Sequence, residues 1–157
     1  EGVRLHPVCG PRYISEVLLP RINKKKSDGF EVCLKPLIAT AKDEEGLVAR
    51  KEIARQRLAF YLSTPAYAKA FDVFQLQDLC QEMNQLSRTN RWAEMSELVS
   101  DELLEEIVIV ALHDDLASKI HERFGLLLDR IEVSIPVDSE QDEEELSQII
   151  VDLRNTD

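Results

Sequence analysis

The feature that most constrains this chain is the alternation of short β-rich runs with helical stretches, beginning at its first residues. Glu1-Gly2-Val3-Arg4-Leu5-His6-Pro7 is a β-branched run that stops at a histidine and a proline, and Gly10-Pro11-Arg12-Tyr13-Ile14 leads from it into a helix. A strand at residue 1 has no upstream strand to pair with, so the chain is expected to be the downstream portion of a larger α/β protein. Residues 30–41 read as a second strand, alternating at first and continuously apolar later, the pattern of a parallel-sheet strand covered on both faces. Residues 129–136 alternate as a final strand. This order of elements predicts an α/β fold with a parallel sheet and helices outside it, and two or three strands cannot close a barrel, which needs eight.

The helical stretches carry their own punctuation. Ile14, Val17, Leu18 and Ile22 fall at helical spacing within residues 12–26, with a kink or break expected at Pro20. Lys42-Asp43-Glu44-Glu45 starts a long helix, acids first, that runs through Val48, Ile53, Arg57, Leu58 and Tyr61 to Ser63-Thr64-Pro65. There Thr64 can cap a new helix with Pro65 at its first position. Residues 65–106 stay helical, broken near Phe74-Gln75 and at Arg88-Thr89-Asn90. Such a stretch is too long for an ordinary crossover helix and reads as an insertion of three or four short helices. Ile107-Val108-Ile109-Val110-Ala111 fits a strand or a helix end equally well. A helix over residues 115–124 can be capped by His113 or Asp114 and stops at Gly125. A weak helix over residues 143–153 lies within an acidic tail, residues 137–157.

The 157 residues predict one domain, and 44% hydrophobic with 31% charged residues is ordinary for a soluble globular protein. A formal charge of −11 argues against a nucleic-acid partner and an anionic membrane, both of which need clustered Lys and Arg. Asp138, Glu140, Asp142, Glu143, Glu144 and Glu145 concentrate part of that charge in what reads as a solvated tail or helix start. Cys9, Cys33 and Cys80 lie far apart with no CxxC spacing, which favours buried structural thiols in a reducing cytoplasm. No apolar run approaches the roughly 18 residues of a spanning helix, and no signal layout is present.

Among candidate site residues, His6 at a strand end beside Arg12 and Tyr13 combines a cation with two hydrogen-bonding rings, a set suited to an anionic substrate or a cofactor phosphate. Tyr61, Ser63, Thr64 and Tyr67 gather hydroxyls at a helix junction, where they face a substrate cavity or serve capping and packing. His113 and His121, with acids between and beside them, are about 12 Å apart along a helix axis, too far for one small ion, so no metal site is expected. Trp92 and Met95 share a helical face and are expected to pack. No P-loop, GxGxxG, GxSxG or HExxH motif is present.

Leu5-His6-Pro7 with Pro11-Arg12-Tyr13 and Glu16-Val17, the phrase Ala59-Phe60-Tyr61-Leu62-Ser63-Thr64-Pro65-Ala66-Tyr67, and Arg91-Trp92-Ala93-Glu94-Met95 resemble the bacterial luciferase-like monooxygenase family. They look most like its deazaflavin-dependent oxidoreductase branch, over residues 1–136. The resemblance implies the C-terminal portion of a (β/α)8 barrel, with residues 3–6, 30–40 and 130–135 as its last three strands. It also implies a cofactor, FMN or the deazaflavin coenzyme F-420, and hydride transfer or monooxygenation of a small organic substrate. The active site of such a barrel forms at the C-terminal strand ends. His6, the loop of residues 7–13 and Ala39-Thr40-Ala41 would lie on that rim, while most cofactor contacts come from earlier strands. No individual catalytic residue is assigned. The alternative is a non-catalytic half-barrel, a homo-oligomer or the partner of a separate N-terminal half, because an unclosed parallel sheet must be covered or paired.

Overall fold

The computed structural model describes residues 1–25 and 27–155. Strand β1, Gly2–Leu5, pairs in parallel with β2, Glu31–Leu34, in the register Val3 to Val32 and Leu5 to Leu34. The other edge of β2 pairs in parallel with β5, Arg130–Ile131. Beyond Lys35-Pro36-Leu37 the chain continues as β3, Ile38–Ala41, which pairs in parallel with β4, Ile109–Leu112. The result is α/β: a three-stranded sheet ordered β1-β2-β5 and a two-stranded sheet β3-β4, with no closed barrel among the described residues.

Several expectations need correction. The single strand expected over residues 30–41 is two, and Pro36, which cannot donate to a ladder, lies at the break. It is also not buried throughout, because Glu31, Cys33 and Lys35 remain partly open while Val32 and Leu34 are sealed. The final strand is short: Arg130–Ile131 pairs, and residues 132–138 are irregular. The ambiguous segment divides, with Ile107 ending a helix and Ile109 starting β4.

The first helical stretch comprises α1, Pro11–Tyr13, a π-helical turn, Ile14–Leu18, and α2, Leu19–Ile22. Pro20 removes one backbone donor and crowds the preceding turn, and the widened π turn just upstream absorbs that misfit. Gly10, ahead of α1, is needed for close approach, since a Cβ there would stand 3.2 Å from the Glu106 carbonyl oxygen and 3.1 Å from Ile107 Cδ1.

Helix α3, Glu44–Ser63, begins where the acids predict, with Asp43 accepting a 2.7 Å hydrogen bond from the Gly46 amide. The insertion follows as a 3-10 helix, Pro65–Phe74, then α4, Gln77–Arg88, α5, Trp92–Glu97, and α6, Asp101–Ile107. Its two expected breaks carry the left-handed residues Gln75 (φ 58°) and Asn90 (φ 60°). Helix α7, His113–Phe124, starts on Leu112 with no side-chain cap, so neither His113 nor Asp114 caps it. Helix α8, Glu140–Asn155, starts three residues earlier than expected and buries Ile149.

Two apolar clusters hold these parts together. One joins α3 to the insertion through Leu58, Leu62, Phe71, Met83, Met95 and Leu104. The other sets Leu5, Val32, Leu34, Ile109, Leu116 and Phe124 between the strands, the first helical stretch, α7 and α8. Met95 is sealed but Trp92 is 49% exposed, so the expected packed pair is only half realised.

Candidate functional site

The C-terminal end of β1 meets the C-terminal end of α3 at a cluster of three rings. His6 follows β1 directly, and its imidazole stacks on Tyr67 with centroids 4.3 Å apart and planes at 24°. Tyr61 stands edge-on to both, 5.3 Å from His6 and 5.4 Å from Tyr67. Offset stacking and edge contacts of this kind favour a defined geometry over a fluid one. The placement follows from local chemistry: Tyr61 lies in the last turn of α3, and Pro65 sets the direction of the 3-10 turn that delivers Tyr67. His6 accepts a long 3.4 Å contact at Nδ1 from the Val8 amide. Burial, with the nearby positive charge of Arg57 second, holds its pKa below the usual 6.5.

The other sequence candidates are placed differently. Arg12 pairs with Glu16 at 3.0 Å, and its guanidinium lies 5.5 Å over the Phe74 ring. Tyr13 is half-buried and packs against both apolar clusters. Ser63 and Thr64 both donate to the Phe60 carbonyl, at 2.8 and 2.9 Å, so their hydroxyls close the end of α3. Thr64 therefore marks the start of the next helix without capping it through its side chain. Of the seven candidates, the structure gathers His6, Tyr61 and Tyr67.

Beside this cluster lies a cleft of about 370 Å³ between α3, the loop at Pro7, residues 35–40 and the segment after β5. Arg50, Ile53 and Arg57 of α3 form one wall, and Lys35 and Ile135 contribute to the other. A second cavity of about 230 Å³ adjoins it, sharing Thr40, Arg50 and Ile135. The sequence marked Thr40 only as part of the rim implied by the resemblance, gave Arg57 only as a helix position, and carried no sign of Arg50. Within the second cavity Lys42 contacts Asp142 at 3.6 Å and Glu145 at 2.9 Å, and the Glu145 hydrogen bond raises the lysine pKa. His113 Nδ1 also meets Glu145 at 2.9 Å. The acidic run is thus partly used to dock α8.

Cys9 and Cys80 are buried and Cys33 half-buried, and burial pushes the Cys9 and Cys80 thiols up. Among the described residues no group of three or more His, Cys, Asp or Glu side chains is placed to hold a metal ion. No described helix is long and apolar enough to cross a membrane.

Comparison with known proteins finds relatives among mycobacteria. An uncharacterized protein of Mycobacterium tuberculosis (strain ATCC 25618 / H37Rv) and one of Mycobacterium bovis are each 32% identical to this chain over 132 residues. The match takes in 80% of this chain but 39% of those proteins, so the chain spans about two fifths of the relatives' length. No family model and no solved structure matches.

Proposed function

We propose that this chain forms the C-terminal part of a luciferase-like oxidoreductase that uses FMN or a deazaflavin to transfer hydride to, or oxygenate, a small organic substrate. The observation that carries the reading is the placement of His6, Tyr61 and Tyr67 at the C-terminal end of a parallel strand, where α/β proteins assemble their sites. Two features support it. Within the runs the resemblance assigns to consecutive barrel strands, residues 3–5, 31–34 and 130–131 are parallel neighbours in the order β1-β2-β5, while residues 38–40 of the middle run pair in the other sheet. The cleft beside the rings opens at those same strand ends.

In this chemistry the cofactor carries the redox step, and the protein positions it and excludes water. His6, Tyr61 and Tyr67 would supply an aromatic wall, with the His6 pKa lowered by its partial burial and then by Arg57. The test is to incubate the chain with FMN or with the deazaflavin, pass each mixture through a desalting column and record the visible spectrum of the protein fraction. Retention of either cofactor, lost in Tyr67→Ala, is expected; a colourless protein fraction in both cases overturns the reading for this chain.

A second reading rests on the open face of the sheet. Arg4, Glu31, Arg130 and Glu132 stand there 44–67% exposed and pair as Arg4 with Glu132 and Arg130 with Glu31. Such a face fits a non-catalytic half-barrel that covers itself with a second copy or a separate upstream half. Light scattering at micromolar concentration tests the second-copy form, since a monomeric mass excludes it.

A further inference from the structure

We infer that the cleft between α3 and the strand ends binds a small organic molecule through an oxyanion, either a carboxylate or a phosphate ester. The chain carries 30 acidic and 19 basic residues. Yet the described residues lining this cleft include Lys35, Arg50 and Arg57 and not one carboxylate, the acids Asp43, Asp138 and Asp142 lining instead the adjoining cavity that shares Arg50. A concavity of cations in a protein of net charge −11 is a local reversal of the molecule's field, and it concentrates anions where the rest of the surface repels them.

Two of these cations, Arg50 and Arg57, are also available. On one side of α3, Lys51 bridges to Asp101 and Glu105 at 3.4 and 3.3 Å, while Arg55 bridges to Glu52 and Asp101. Among the described residues neither Arg50 nor Arg57 is paired with a carboxylate, and Lys35 has Glu132 at 3.4 Å. Seven residues of separation put Arg50 and Arg57 on one helical face, about 10 Å apart along the axis. Ile53, 57% exposed, lies between them in sequence and on the same wall. An oxyanion held by guanidinium forks, with an apolar body against Ile53 and Ile135, satisfies both characters of the wall.

Thr40 is 5% exposed, lines both cavities, and its Oγ1 is a buried hydroxyl with no hydrogen-bond partner. Buried hydroxyls are ordinarily satisfied, and this one is sealed from solvent behind the cleft wall, so an acceptor oxygen reaches it only where that wall shifts on binding. The inference stands on this geometry and does not rest on the oxidoreductase reading.

The experiment is isothermal titration of the full chain at low ionic strength with inorganic phosphate and, separately, succinate, against sodium chloride of equal ionic strength. Saturable binding of phosphate alone identifies a phosphorylated ligand, of succinate alone a carboxylic acid, and of both a general oxyanion site. Arg50→Gln and Arg57→Gln are each expected to weaken binding about tenfold, whereas Lys51→Gln, on the paired side of α3, leaves it within about twofold. No saturable binding beyond chloride, or binding indifferent to Arg50→Gln and Arg57→Gln, overturns the inference. Circular dichroism of each variant shows whether it is folded.

Discussion

On one face of the β1-β2-β5 sheet, Leu5, Val32 and Leu34 lie under helices at 9% exposure or less; on the other, Arg4, Glu31, Arg130 and Glu132 project into solvent and pair with one another. Helix α3 repeats the division: Leu58 and Leu62 are sealed against the insertion, while Arg50 and Arg57 stand on the cleft. Stability is concentrated on the covered sides, where burial contributes on the order of 25 cal/mol per Å² of apolar surface. The open sides hold groups that can be exchanged without unfolding the chain, and there the molecule has room for ligands.

The largest effects should follow from breaking the covered side. Leu34→Ala and Phe124→Ala are each expected to cost about 3–5 kcal/mol in urea denaturation, because each leaves a cavity between strand and helix. A cost near that of a surface substitution would dissolve the comparison. Next comes Arg123, which donates from Nη1 to the Val108 carbonyl at 2.7 Å and from Nη2 to the Glu106 carbonyl at 2.6 Å, tying α7 to the end of α6. Arg123→Met should cost about 2 kcal/mol, measured the same way, since two charge-assisted bonds are lost and two carbonyls are released.

Smaller still is the open face. Glu132→Gln is expected to change unfolding free energy by less than about 1 kcal/mol, as exposed ion pairs do, and a larger loss would show that this face also supports the fold. The smallest effect is one of pH. The folded state holds the His6 pKa below 6.5, so its contribution is present above that value and is lost as pH falls through the folded-state pKa. His6→Phe, which keeps a ring against Tyr67, should flatten the fall in denaturation midpoint below pH about 6.5, and an unchanged slope would assign that acid sensitivity elsewhere.

What was legible in the sequence was the periodic part. Alternating runs located the parallel strands, Asp43 with Glu44 and Glu45 marked the start of α3, and the breaks at Gln75 and Asn90 were visible as polar interruptions of a helical pattern. Strand length was less so: only Arg130 and Ile131 pair in β5, although the alternation runs on to Ile135, because register depends on a neighbour that local pattern does not contain. The docking of α8 depends on Lys42 and His113, some hundred and some thirty residues away from Glu145, and an acidic run carries no mark of such partners. The cleft was hidden for a similar reason. Arg50, Lys51, Arg55 and Arg57 look alike on one helix, and the positions of Asp101 and Glu105, brought in from a later helix, separate Lys51 and Arg55 from the other two. Thr40 sits in an apolar run where its hydroxyl reads as ordinary strand composition.

The most direct test of the rim as the ligand-facing end is imidazole NMR, because the chain has three histidines, His6, His113 and His121, in three different settings. On titration with FMN or the deazaflavin, the account predicts that the His6 ring resonances shift saturably while those of His121, exposed on α7, stay in place. Saturable shifts at His121 with His6 unmoved would contradict it.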